Sequence, residues 1–224
     1  MNYPHRYDRN KILTLQEQHE LSEKNALVLG CGGLGGYVIE MLARMGVGNI
    51  ICCDFDTFSE TNLNRQLLST EQNLGKNKAL EAVKRIQSIN SDISASAITE
   101  KSIEKIKEQI KDVDIVMDCL DTVHDRLIVQ KICKENNCAM IHGAIGGWFG
   151  QVSSIMPGND TLSLIYPDGT EPDESQGNPS FTPAVVAGIQ VSEAIKVLLG
   201  YEDILQRKLA IIDLLSNEIQ VAEL

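Results

Sequence analysis

The chain has 224 residues, enough for one sizeable α/β domain and too few for two comfortable ones. It is 43% hydrophobic and 23% charged, as soluble globular proteins are, and its formal charge of −11 argues against a broad nucleic-acid-binding surface while leaving room for one local basic pocket. The longest apolar runs, 115–117 and 184–189, are too short to cross a bilayer, and the opening Met1-Asn2-Tyr3-Pro4-His5-Arg6 has no apolar core of a secretory signal, so a cytoplasmic protein is expected.

Segment 10–24 is polar with scattered leucines and predicts a short amphipathic helix. The compact apolar run 26–29 predicts a buried strand ending at Gly30, and 34–46 a helix closed by Gly46. A second strand is expected at 49–53, ending in Asp54-Phe55-Asp56, with helical potential over 59–70. A helix over 75–90 would bury Leu80, Val83 and Ile86 on one face. The alternation continues with a strand at 93–98, a helix at 102–111, a strand at 113–119, a helix at 124–136 and a strand at 139–145. This rhythm predicts a Rossmann-like α/β fold, a mostly parallel sheet with helices on both faces. After residue 150 a strand at 151–156 leads into a Gly/Asp/Pro/Ser-rich loop over about 157–180, a candidate gate. A helix over 183–199, with Thr182 as N-cap and Pro183 at its first position, and antiparallel C-terminal strands at 208–213 and 217–223 complete a single domain.

Gly30-Cys31-Gly32-Gly33-Leu34-Gly35 fits G-x-G-x-x-G at a strand-to-helix junction. Glycines there permit a tight turn and close backbone approach, and a helix N-terminus favours an anion. Asp54 follows at the next strand end, where a ribose-binding carboxylate belongs. Together these features specify a nucleotide but not which one. Asn62, Asn64, Arg65 and Gln66 follow shortly, then Lys78 at a helix start. Two cations able to converge on a triphosphate favour chemistry at phosphorus over hydride transfer. Asp118-Cys119-Leu120-Asp121 ends another strand, and a carboxylate at that edge can hold Mg²⁺.

Gly30–Gly35, Asp54-Phe55-Asp56, Asn62-Leu63-Asn64-Arg65-Gln66, Gly75-Lys76-Asn77-Lys78, Asp118–Asp121 and the early Arg6-Tyr7-Asp8-Arg9-Asn10 resemble the ThiF/MoeB/HesA family, relatives of the ubiquitin-activating enzymes, through nearly the whole chain. The resemblance implies an adenylyltransferase that uses ATP and Mg²⁺ to activate the C-terminal Gly-Gly carboxylate of a ubiquitin-like sulfur carrier of ThiS or MoaD type. It places Gly33 under the phosphates and Asp54 at the ribose hydroxyls, with Gly30, Gly32, Gly35 and Asp56 as further nucleotide-binding residues. It assigns Asn62, Arg65 and Lys78 to holding the phosphates and stabilising the charge developing on the α-phosphoryl, Gln66 to binding the nucleotide, and Asp121 to the metal. Arg9 matches an arginine that reaches the ATP of the opposite subunit, which implies a homodimer.

The chain departs from many relatives in its cysteines. Its six (Cys31, Cys52, Cys53, Cys119, Cys133 and Cys138) form no C-x-x-C pair, and none follows residue 138. Structural zinc, a disulfide and a covalent carrier thioester on the long loop are therefore not expected, and sulfur transfer falls to a separate donor. Thr122 stands where relatives often carry asparagine. Gly143 to Gly150, with Trp148 and Phe149 among the glycines, fits either passage of an extended Gly-Gly tail or tight strand packing. The four histidines are not at metal-ligand spacings, and Cys31 within the turn reads as exposed but kept for packing. Three alternatives stand beside the main expectation: a relative that dehydrates threonylcarbamoyladenosine in tRNA, a nucleotide-binding module without catalysis, and an NAD(P) oxidoreductase.

Overall fold

The computed structural model describes residues 4–169 and 177–224. Eight strands form one sheet in the order β3-β2-β1-β4-β5-β6-β7-β8. Strands β1 (Asn25–Leu29), β2 (Asn49–Cys53), β3 (Ser94–Ile98), β4 (Ile115–Asp118) and β5 (Ala139–Gly146) pair in parallel. β6 (Phe149–Ile155), β7 (Lys208–Asp213) and β8 (Glu218–Glu223) continue it antiparallel. This is the Rossmann-like arrangement the alternation predicts, with the antiparallel C-terminal strands in place.

The period-two alternation of each strand divides the core in two. Ala26 and Val28 of β1, with Ile115 and Met117 of β4, face helices α2 (Gly33–Met45), α3 (Lys78–Ile89) and α7 (Phe181–Leu198). Leu27, Leu29 and Val116 face the other way, toward α4 (Ile103–Ile110), α5 (Val123–Glu135) and α6 (Thr161–Ile165). Both faces of the parallel strands are thus covered, so their apolar runs are nearly continuous. Among the described helices α7 alone is long and apolar enough to cross a bilayer by composition. It lies instead on α2, β5 and β6, burying Val186, Ala187, Val191 and Ala194.

The first helix, α1 (Leu15–Ser22), starts at a capping box in which Thr14 accepts from Glu17 N–H and Glu17 accepts in return. α2 ends where predicted, at Gly46 with φ +81°.

Four expectations need correction. Segment 59–70 forms no α-helix: only Glu60–Asn62 makes a 3-10 turn, because Asn62 and Asn73 turn their side chains back onto the N–H groups of Ser59 and Thr70. On α3 the buried face is Ala79, Ala82 and Ile86 together with Lys78, whereas Leu80 is half exposed. A helical face set by two alanines packs closely enough on the sheet to leave the larger leucine outside. Thr182 is not the cap of α7, which begins at Phe181; its hydroxyl is buried and donates to Gly147 O at 2.7 Å. Cys31 is fully buried rather than exposed. The loop over 157–180 contains α6, and its residues 170–176, with the gating expected of them, lie outside the described residues.

Candidate functional site

The carboxyl ends of β1, β2 and β4 meet at one edge of the sheet, the edge where open α/β folds bind ligands. At the β1–α2 turn the glycines divide their work. Gly30 has φ +90°, and a Cβ there would stand 2.5 Å from Cys119 O; a Cβ on Gly35 would stand 1.8 Å from Gly30 O. These two let β1, β4 and α2 approach one another. Gly32 and Gly33 instead lie beneath side chains: added Cβ atoms would meet Gln66 Nε2 at 3.5 Å and Arg65 Cγ at 3.7 Å, ordinary contacts. The Arg65 stem therefore lies over the first residue of α2, where the helix presents unpaired N–H groups.

Asp54 ties two loops together. One carboxylate oxygen accepts Cys31 N–H at 2.8 Å and the other Asp56 N–H at 2.9 Å. Burial pushes this carboxyl above its ordinary range against those two bonds. Asp56 in turn accepts from Lys78 Nζ at 3.1 Å, and the Asp56 carbonyl accepts Lys78 N–H at 2.9 Å. Asn77 caps α3 with its side-chain oxygen and donates to the Asp54 and Asp56 carbonyls at 3.1 Å each. Lys78, buried and paired with Asp56, is so delivered to the edge of the site from the first residue of α3.

The sequence-predicted residues do not all stand together. Arg65, Gln66, Asp54, Asp56 and Lys78 gather around the glycine turn. Arg65 is held by its own loop, donating to Thr61 O at 3.1 Å and Asn64 Oδ1 at 2.9 Å. Asn62 is buried with its side-chain oxygen on Ser59 N–H at 3.0 Å, so it shapes the loop that carries Arg65. Gln66 is buried beside Gly32, and its Oε1 has no partner among the described residues, a polar atom left over at the turn. Asp121 is exposed beyond β4, one residue before Thr122, which caps α5.

Arg9 is elsewhere. The Tyr7 ring packs where a Cβ on Gly46 would stand, Tyr7 Oη accepts from Asn90 Nδ2 at 2.7 Å, and Arg6 pairs with Asp92 at 3.2 Å. This fastens the N-terminal segment at the C-terminal end of α2. With 13 residues in α2, that end is roughly 20 Å from the glycine turn.

The β5–β6 turn closes the near side. Trp148 and Phe181 rings stand 4.6 Å apart, and Gly147 N–H donates to Gly177 O at 2.8 Å. Asn64, Gly147, Trp148, Asn178, Pro179 and Phe181 line a cavity of about 380 Å³, bordered by the neighbour of Arg65.

One group was not foreseen. His142, in the middle of apolar β5, is fully buried and sets Nδ1–H on Asp118 Oδ2 at 2.7 Å. Burial pushes the imidazole below its ordinary value, outweighing the carboxylate beside it, so the ring is neutral. Arg126, Gln151 and Tyr166 surround the pair. A lone polar residue inside an otherwise apolar buried strand was the available signal, since such a group demands a partner.

The fold and the sequence have known counterparts. Over 99% of the chain the fold matches the crystal structure of E. coli MccB with ATP, at a TM-score of 0.84 and 24% identity, covering 71% of that protein. The chain is 34% identical over 98% of its length to the molybdopterin-synthase adenylyltransferase of Haemophilus influenzae, spanning 94% of it. It is 34% identical over 88% of its length to the sulfur carrier protein ThiS adenylyltransferase of Bacillus subtilis, spanning 62% of it. A model of the ThiF family matches residues 7–224, and the chain belongs to that family.

Proposed function

We propose that this ThiF-family adenylyltransferase transfers AMP from ATP to the C-terminal Gly-Gly carboxylate of a ubiquitin-like sulfur carrier, of ThiS or MoaD type, releasing pyrophosphate. The observation that carries the proposal is the Arg65 stem lying over Gly33 at the start of α2, with Lys78 held on Asp56, next to the Asp54 loop that bonds the same turn. Two cations and a helix N-terminus at one turn suit a triphosphate far better than a dinucleotide.

In the reaction a carboxylate oxygen of the carrier attacks the α-phosphorus. The new O–P bond forms as the bond to the bridging oxygen of the β-phosphate breaks, and pyrophosphate leaves with that electron pair. A C-terminal carboxylate is ionised near neutral pH, so no side chain has to remove a proton. The protein's work is then to hold charge and geometry. Arg65 and Lys78 neutralise oxygens of the triphosphate, the backbone over Gly32 and Gly33 allows close approach, and Asp54 receives the ribose hydroxyls. The aromatic-walled cavity at Trp148 and Phe181 lies where an extended tail could run toward Arg65.

The acid at the strand end fits Mg²⁺. Among the described residues no cluster of three metal-ligating side chains exists, and Asp121 presents a single exposed carboxylate. Mg²⁺ is commonly held in this way, by one or two carboxylates with the rest of its shell from phosphates and water. Asp121 would hold the ion, which supplies neutralisation of phosphate charge. We further propose a homodimer in which Arg9 reaches the partner's ATP, a cytoplasmic location where ATP is plentiful, and a separate sulfur donor acting on the acyl-adenylate.

Exchange of labelled pyrophosphate into ATP, dependent on a carrier ending in Gly-Gly, tests the proposal. Arg65→Ala and Lys78→Ala should each lower exchange about 100-fold or more while circular dichroism stays that of the wild type. Undiminished exchange in either variant would remove it from the site.

A further inference from the structure

Five side chains that the proposed chemistry does not touch close a ring beneath the strand-end acid. Asp118 ends β4, His142 lies on β5, Gln151 on β6, Arg126 on α5, and Tyr166 follows α6. Neutral His142 donates from Nδ1 to Asp118 at 2.7 Å, which leaves Nε2 as an acceptor. Tyr166 Oη lies 3.3 Å and Gln151 Nε2 3.2 Å from that nitrogen. Tyr166 Oη also accepts from Arg126 Nη1 at 3.1 Å and from Gln151. Arg126 Nε returns to within 3.7 Å of Asp118, so one negative and one positive charge are buried together.

The ring has one outlet toward the site. Asp118 Oδ1 accepts Leu120 N–H at 3.1 Å, and Arg126 Nη2 donates to Leu120 O. The Leu120 residue is thus gripped at both its backbone polar groups by the two charged members, and Asp121 is the next residue. From α7, Gln190 adds bonds to Asp118 O at 2.8 Å and Ile141 O at 2.9 Å, tying the end of β4 to the body of β5.

We propose that His142, Tyr166 and Arg126 are positioning residues that, through Asp118, hold the Leu120 backbone and so aim the Asp121 carboxylate at the metal–phosphate complex. The inference rests on the adenylylation proposed above. Through Tyr166 it also links the start of the long loop to the placement of Asp121. Asp118 and His142 are fully buried and Arg126 nearly so, and a hydrogen-bonded cluster held this tightly around Leu120 is suited to fixing that backbone, although Arg126 Nε finds no hydrogen-bond partner among the described residues.

The test is Mn²⁺ binding, followed by electron paramagnetic resonance, to the protein saturated with a non-hydrolysable ATP analogue. It is paired with hydrogen exchange of the Leu120 amide in the free protein. Tyr166→Phe and His142→Leu should weaken Mn²⁺ binding about tenfold and speed Leu120 exchange, with metal-free affinity for the analogue within about twofold of wild type. His142→Asn, whose amide nitrogen can replace Nδ1 as donor to Asp118, should recover most of the Mn²⁺ affinity. Ser154→Ala removes a buried hydroxyl bonded to Glu193 outside the ring and should leave Mn²⁺ binding unchanged. Wild-type Mn²⁺ affinity in folded Tyr166→Phe overturns the inference alone. So does an equal loss of metal-free analogue binding, which would mean the ring merely supports the fold. A wild-type protein that binds no analogue overturns the functional proposal and this inference with it.

Discussion

The glycines of the nucleotide turn look alike in sequence and differ in what they tolerate. A methyl group on Gly35 would be driven into the Gly30 carbonyl, and neither backbone can yield without moving β1 from α2. Gly35→Ala should cost about 3 kcal/mol, seen as a fall in melting temperature of roughly 6–12 °C for a chain of this size. Gly33→Ala meets only the flexible Arg65 stem at 3.7 Å. It should leave melting almost unchanged and show itself in ATP binding. If both variants melted alike, the division between packing and ligand-facing glycines would be wrong. The pattern G-x-G-x-x-G was legible from the sequence, but this division was not, because it depends on Cys119 and Arg65, which only the fold brings to the turn. Nor was it legible that the Asn62 side chain, which the resemblance assigns to the phosphates, is buried and closes its own turn.

At the level of elements, α2 and α3 are joined by charge as well as by packing. Glu40 of α2 accepts from Arg85 of α3 through both oxygens, at 2.7 and 2.9 Å, and from Arg44 one turn along its own helix. Burial pushes the Glu40 carboxyl up, but the Arg85 and Arg44 guanidiniums together hold it below its ordinary 4.5. A carboxyl lowered by folding contributes stability that is complete above its unfolded value and disappears as pH falls through the folded one. Arg85→Met should therefore lower stability at pH 7 by about 1 kcal/mol and flatten the acid limb below pH 4.5, as measured by urea unfolding across pH. An acid limb as steep as the wild type's would place that titration elsewhere. The order and type of nearly every α-helix and strand followed from hydrophobic spacing. The failures came where small residues decided the outcome: two alanines turned α3 so that Leu80 faces out, and two asparagines kept 59–70 from becoming a helix. The His142 ring escaped for a different reason, since its five members come from four separate elements and the segment after α6, whose meeting no local pattern records.

For the whole molecule the decisive distance is the length of α2. The N-terminal segment is fastened at one end of that helix and the nucleotide turn lies at the other, so Arg9 cannot serve its own turn without the Tyr7 and Arg6 contacts letting go. Any role for Arg9 at ATP is then a role on another copy. Arg9→Ala and Arg65→Ala should each be inactive alone, yet equal mixing after exchange of subunits should restore roughly a quarter of wild-type pyrophosphate exchange, because half the dimers would hold one intact site. No recovery in a mixture shown to exchange subunits would remove Arg9 from the site.

The double use of Asp54 carries one more implication. Its two oxygens are already committed to the N–H groups of Cys31 and Asp56, so the carboxylate cannot swing, and each oxygen keeps spare acceptor capacity in a fixed direction. A sugar arriving there would be judged against a rigid template, with little ordering left to be done on binding. Selection among nucleotides at this end of the site would rest on how a diol fits a fixed carboxylate, and not on a side chain closing over whatever has bound.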